Sequence, residues 1–175
     1  TRSSWTALRP PLVYGAGGLG NMGRLEQLIR RGLPLPLGSV RNQRSVMYVG
    51  NLASAVLAAL DDPVNRNRAF VVADHPPCST PTLIRAIAGA TGQRARLFPC
   101  PALVLRSIAR LGDLLQAMAR RPLPISTYAI DRLLGSLAVD DRGFRSALGW
   151  SPPIGFQEAV ERSFGVAAAP VEDRS

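Results

Sequence analysis

The chain has 175 residues, 46% of them hydrophobic, with 21 arginines, no lysine, 12 acidic residues and a formal net charge of +9. That length predicts one domain with a real hydrophobic core and no need for metal or disulfide staples. The 16 Gly and 15 Pro are dispersed and no apolar stretch reaches 18 residues, which excludes collagen, long disorder, repeat arrays and a membrane-spanning helix.

Residues 5–9 read as a strand, closed by Pro10-Pro11, whose missing amide protons forbid regular continuation in a central strand. Leu12-Val13-Tyr14 leads into a flexible loop over Gly15–Gly20. Asn21 is expected to cap a helix to about Arg31, with Leu25, Leu28 and Ile29 on one face and Gly32 ending it. The stretch Leu33-Pro34-Leu35-Pro36-Leu37-Gly38 must be extended and irregular. A short strand follows at 45–49, then a helix from Asn51 to about Leu60, closed by Asp61-Asp62-Pro63.

The continuous apolar run Ala69–Ala73 predicts a buried strand. Thr80-Pro81 reads as a cap followed by proline at the first helical position, opening a helix that ends near Gly92. Residues 95–98 suggest another short strand. Ala102–Arg120 carries apolar residues at helical spacing with Gly112 as a break, and a further helix is expected at 125–134. Leu137-Ala138-Val139 reads as a strand and 156–164 as a last helix. One folded unit over 1–167 and a disordered tail over 168–175 are expected. The pattern is α/β, with too few strands for a complete nucleotide-binding sheet.

Charge and motifs narrow the function. Residues 1–87 hold 10 Arg and 4 acids, and the remainder 11 Arg and 8 acids, so the positive charge is dispersed. No basic run interleaves with aromatics as a stacking surface requires, which argues against nucleic acid. Scattered guanidinium forks suit a phosphate-bearing small ligand better than a polymer. Cys78 and Cys100 have no C-x-x-C spacing and His75 is the single histidine, so no metal site is expected. The opening Thr1-Arg2-Ser3-Ser4 has no leader pattern, and a cytoplasmic protein is expected. Gly15, Gly17 and Gly20 satisfy G-x-G-x-x-G, but Pro10-Pro11 interrupt the preceding strand and no acid lies between Glu26 and Asp61 to hold a ribose. The motif therefore reads as a glycine-permissive loop at a strand end.

Four blocks in order carry a resemblance: Leu8-Arg9-Pro10-Pro11-Leu12-Val13-Tyr14-Gly15, Gly38 through Val49, Ser79-Thr80-Pro81-Thr82-Leu83, and Leu148-Gly149-Trp150-Ser151-Pro152-Pro153. Together they resemble the extended short-chain dehydrogenase/reductase family of NAD-dependent sugar-nucleotide epimerases and dehydratases, most closely the UDP-sugar 4-epimerases and 4-keto-reductases. The resemblance implies the C-terminal part of a Rossmann-type doubly wound fold, with an incomplete sheet and a smaller, mainly helical substrate-binding region. The family's glycine fingerprint and Tyr-x-x-x-Lys pair should precede the Arg-Pro-Pro block. Only eight residues precede Arg9 and the chain has no lysine, so it is expected to be inactive alone.

By the same resemblance, Pro10 and Pro11 lie beside the nicotinamide of NAD or NADP in the complete enzyme. Asn21 contacts the sugar nucleotide, and the main chain of Leu35, Pro36 and Leu37 lies along the uracil. Arg44 grips the diphosphate of a UDP-sugar, with Arg132 as a second diphosphate arginine. Arg41 reads as a solvated neighbour, Tyr48 and Trp150 as packing, and His75 as a loop residue. A homodimer is expected only of the complete enzyme. The competing reading is a non-catalytic sugar-nucleotide or protein-binding module without its catalytic half.

Overall fold

The structure, a computed structural model, describes residues 4–18, 20–61, 66–119 and 127–165. Extended backbone begins at β1 (Thr6–Arg9) and resumes after the two prolines as β2 (Leu12–Tyr14), a strand where the sequence suggested only a lead into the loop. A proline pair removes two consecutive ladder donors, and the chain answers by changing partner across it. β1 pairs in parallel with β4 (Arg68–Val71), Leu8 opposite Phe70, whereas β2 pairs in parallel with β3 (Val46–Tyr48), Val13 opposite Met47.

β3 runs through the middle of the protein. Its alternation sends Val46 and Tyr48 to one face and Met47 to the other, and both faces are covered. The first face meets a layer of three helices, α1 (Asn21–Arg30), α3 (Thr80–Ala90) and α7 (Phe156–Phe164). Met22, Ile29, Leu83, Ile84, Ile87, Val160 and Phe164 close over Tyr14 and Val46 there. The opposite face meets α2 (Val49–Asp61) and α6 (Arg142–Leu148), where Met47, Ala55, Phe70, Val72, Phe144 and Trp150 form a second cluster. Phe144 sits at its centre, edge-on to Phe70 at 5.5 Å and to Trp150 at 5.4 Å between ring centroids. Parallel strands covered by helices on both faces are the three-layer arrangement of a doubly wound sheet. Beyond these layers, α4 (Ala102–Ala119) and α5 (Thr127–Leu134) pack on each other as a helical pair.

Several boundaries depart from the sequence reading. Gly20, not Asn21, is the residue before α1, and Asn21 is already helical. The end of α1 is as expected: Gly32 takes φ +64°, and the N–H groups of Gly32 and Leu33 donate back to Ile29 and Leu28 at 2.9 and 3.2 Å. α2 starts two residues early, running directly from β3. Ser79 rather than Thr80 caps α3, its Oγ accepting from the Thr82 N–H at 3.2 Å, which moves Pro81 to the second helical position. α4 passes through Gly112 without the expected interruption. The short strands expected at 95–98 and 137–139 reduce to single bridges, Leu97 with Leu35 and Leu137 with Arg44. The strand at 69–73 begins on the surface and is buried only from Phe70. α6 was not anticipated, although Asp141 before it and Gly149 after it at φ +63° are ordinary terminal signals. The expected tail over 168–175 lies outside the described residues.

Candidate functional site

The segment from residue 42 through β3 is held from both sides. On one side Arg44 exchanges both main-chain bonds with Cys78, at 2.8 and 3.0 Å. On the other, Ser45 N–H donates to the Leu137 carbonyl at 2.9 Å and Leu137 N–H to the Gln43 carbonyl at 2.8 Å. Side chains reinforce the same clamp: Ser136 Oγ accepts from Gln43 N–H, and Ser45 Oγ from Val139 N–H, each at 3.1 Å. The half-buried Arg44 thus stands on backbone that two separate segments fix in register.

Asn42 locks this strip to the helices. Its Oδ1 accepts the Thr80 N–H at 2.9 Å, one of the orphan donors of α3. Its Nδ2 lies within bonding distance of Thr80 Oγ1 and of the Leu133 and Gly135 carbonyls at the C-terminal end of α5, at 2.8, 2.9 and 3.2 Å. The N–H of Tyr48, four residues beyond Arg44, donates to the buried Asp74 carboxylate at 2.7 Å, and Asn51 Nδ2 donates to the same carboxylate at 2.8 Å. Asn51, fully enclosed, reaches on to Ile154, donating to its carbonyl and accepting its N–H at 2.9 and 3.0 Å. Burial pushes the Asp74 pKa up, against the two donors that stabilise its anion. Burial first, and Asp74 second, also push the Tyr14 hydroxyl up. The Cys78 thiol is raised by burial, with the Arg44 guanidinium pulling the other way. None of Asn42, Asn51 or Asp74 was singled out from the sequence; a buried amide or carboxylate joining three segments leaves no periodic signature.

Two clefts flank the loop of residues 75–79. One, of about 500 Å³, is lined by Val40–Gln43, Pro76–Ser79, Thr82 and Phe156. The exposed Arg41 lines it, whereas its lining stops short of Arg44. The other, of about 730 Å³, is lined by His75, Pro77, residues 138–142, Arg145, Ser146, Gly149 and Trp150. His75 stands in the loop as expected, and Trp150 packs in the second core with its Nε1 donating to Ser54 Oγ at 3.2 Å.

The remaining predicted residues lie elsewhere. Pro10 and Pro11 are half-buried at the β1–β2 junction, and Asn21 is exposed on the first turn of α1. Leu35 and Leu37 are buried core residues, and both main-chain groups of Leu35 are engaged, its N–H with Arg96 and its carbonyl with Phe98. Arg132 lies on α5, and its side chain is outside the described residues. Neither cleft is lined by Pro10, Pro11, Asn21 or Leu35–Leu37.

Parallel strands layered between helices, entered through a proline-broken strand, define a Rossmann-type α/β protein. Residues 4–99 match the 3-beta hydroxysteroid dehydrogenase/isomerase family, and the chain belongs to that family. The resemblance to extended short-chain dehydrogenase/reductases is thereby borne out. Over 157 residues the chain is 31% identical to a UDP-glucose 4-epimerase of Vibrio cholerae, covering 89% of this chain and 44% of that protein. Its fold is similar to a human epimerase family protein solved with NADPH, at 22% identity and a TM-score of 0.64, covering 91% of this chain and 47% of the other. It is likewise similar to the Thermus thermophilus UDP-glucose 4-epimerase solved with NAD, at 22% identity and a TM-score of 0.58, covering 92% and 45%. The chain spans a little under half the length of the curated relative it matches.

Proposed function

We propose that this chain is the sugar-nucleotide-binding part of an NAD- or NADP-dependent nucleotide-sugar epimerase, dehydratase or reductase, and that Arg44 holds the diphosphate of a UDP-sugar. The observation that carries this is the double clamp on residues 43–45, which fixes one guanidinium-bearing position from two sides. A charge-assisted fork held on rigid backbone binds an anion with less ordering cost than a flexible surface arginine. The 31% identity to a UDP-glucose 4-epimerase supports the choice of ligand.

Arg132 is the second diphosphate contact in this reading. Asn21 contacts the sugar nucleotide, the main chain of Leu35, Pro36 and Leu37 lies along the uracil, and Pro10 and Pro11 border the nicotinamide. Pro10 and Pro11 interrupt the strand before the Gly15-Gly17-Gly20 motif, and no acid lies between Glu26 and Asp61 to hold a ribose. No hydride step is therefore assigned to this chain, whose contribution is to orient the sugar nucleotide.

Calorimetric titration with UDP and UDP-hexoses tests the proposal. Saturable binding that Arg44→Ala weakens at least tenfold, with far-UV circular dichroism unchanged, is the expected result. Equal affinity in the variant, or no binding by the parent chain, refutes it.

A further inference from the structure

The cleft of about 730 Å³ between the loop at 75–77 and the segment 138–150 takes no part in the proposed function, since none of the residues assigned to the sugar nucleotide lines it. Two of its charged side chains satisfy each other: Arg142 Nε and Nη2 donate to the Asp140 carboxylate at 2.9 and 2.8 Å. Asp141 and Arg145 do not complete the same arrangement. The Asp141 side chain is only 6% exposed and its Oδ2 is enclosed without a hydrogen-bond partner among the described residues. Arg145 Nη1 stops 4.0 Å away, too far for a hydrogen bond. The half-buried guanidinium itself makes no hydrogen bond among the described residues. An acceptor lacking a donor and a fork of donors lacking an acceptor thus face each other at the cleft.

We propose that this cleft binds a neutral saccharide, one hydroxyl of which bridges Asp141 and Arg145. A hydroxyl donates and accepts at once, so a single group serves both unmet needs. Two hydrogen bonds of about 2.8 Å that meet at about a right angle on one oxygen span about 4 Å, the separation of the two side chains. Held by no hydrogen bond, the Arg145 fork turns aside at little cost to admit that oxygen to Oδ2. Charge selects against the other small-ligand classes. A carboxylate or phosphate would stand beside Asp140 and Asp141, and an ammonium beside Arg142 and Arg145, whereas a polyol meets neither penalty. The volume lies in the range of small-molecule sites and far exceeds the roughly 30 Å³ of a single water. Pro77, Val139 and Trp150 supply apolar lining for the C–H faces of a pyranose ring.

Saturation-transfer NMR on the full chain with maltose and with N,N′-diacetylchitobiose provides the test. Saturable transfer to at least one disaccharide at millimolar concentration is expected. Arg145→Met keeps the aliphatic stem and removes the fork, and should weaken binding at least fivefold. Ala138→Trp, at an exposed position on the rim, fills the cleft and should do the same without touching the charged pair. Arg44→Ala should leave the signal unchanged, and UDP should not displace the disaccharide, which separates this site from the nucleotide site. No saturable transfer from either disaccharide, equal affinity in both cleft variants, or loss of the signal with UDP or in Arg44→Ala overturns the proposal.

Discussion

Asn51 is the joint most open to a quantitative test. It links three parts of the chain, the start of α2, Asp74 after β4, and Ile154 before α7, through three side-chain hydrogen bonds. Asn51→Ala removes all three. The bond to the Asp74 carboxylate is charge-assisted and enclosed, worth about 1.5–3 kcal/mol, and the two to Ile154 about 0.5–1.5 kcal/mol each. Ile154 is half-buried, so water recovers part of its share. The net expected loss is therefore about 2–4 kcal/mol. Urea unfolding followed by far-UV circular dichroism should show it as a lower midpoint at unchanged slope. Asn51→Asp should be worse at neutral pH, because it faces Asp74 with a second carboxylate, and should recover on acidification. A loss below about 1 kcal/mol for Asn51→Ala, or no pH dependence in Asn51→Asp, would refute the view that this amide fastens the sheet to the C-terminal segment.

Asp74 carries a pH signature of its own. Its folded pKa is raised by burial, so the folded state holds the proton more tightly than the unfolded chain. Stability from this group is present at low pH and declines as pH rises from the unfolded value of about 3.9 through the folded one. The stability difference between parent and Asp74→Asn should follow that slope, and a carboxyl titration at or below the ordinary aspartate range would contradict it. Gly32→Ala places a Cβ at φ +64° and should cost about 1–2 kcal/mol by thermal unfolding; a neutral outcome would show that the end of α1 relaxes freely. β1 is paired on one edge and α2 exposes Leu57 and Leu60, so the 175-residue chain should self-associate with concentration. Leu57→Lys with Leu60→Lys should reduce the light scattering, and a monodisperse parent chain at high concentration would count against this.

Much of the architecture was legible because its signals are local. Pro10-Pro11, Gly32 and the apolar periodicity of α1, α3 and α7 each act within one or two turns, and those elements lie where the residues suggest. The failures share a cause in tertiary packing. A three-residue strand such as Leu12–Tyr14 has too little pattern to be told from a loop, and it exists because β3 offers it a partner. Caps shift by one residue because adjacent hydroxyl and amide groups compete, as Ser79 and Thr80 do before α3. The candidate site was the least legible: Arg44 stood out by its place in a resemblance, whereas Asn42, which ties the strip beneath it to α3 and α5, is an ordinary polar residue until the fold closes round it.

The consecutive prolines have a consequence for alignment. They split one extended run into two ladders that must each find register independently, Thr6 against Arg68 on one side and Leu12 against Val46 on the other. Sliding the outer ladder by one residue would invert its own side chains without displacing Tyr14 from Tyr48. Errors and sequence drift in the β1–β4 ladder are thereby insulated from the β2–β3 ladder that follows Arg44 in the chain.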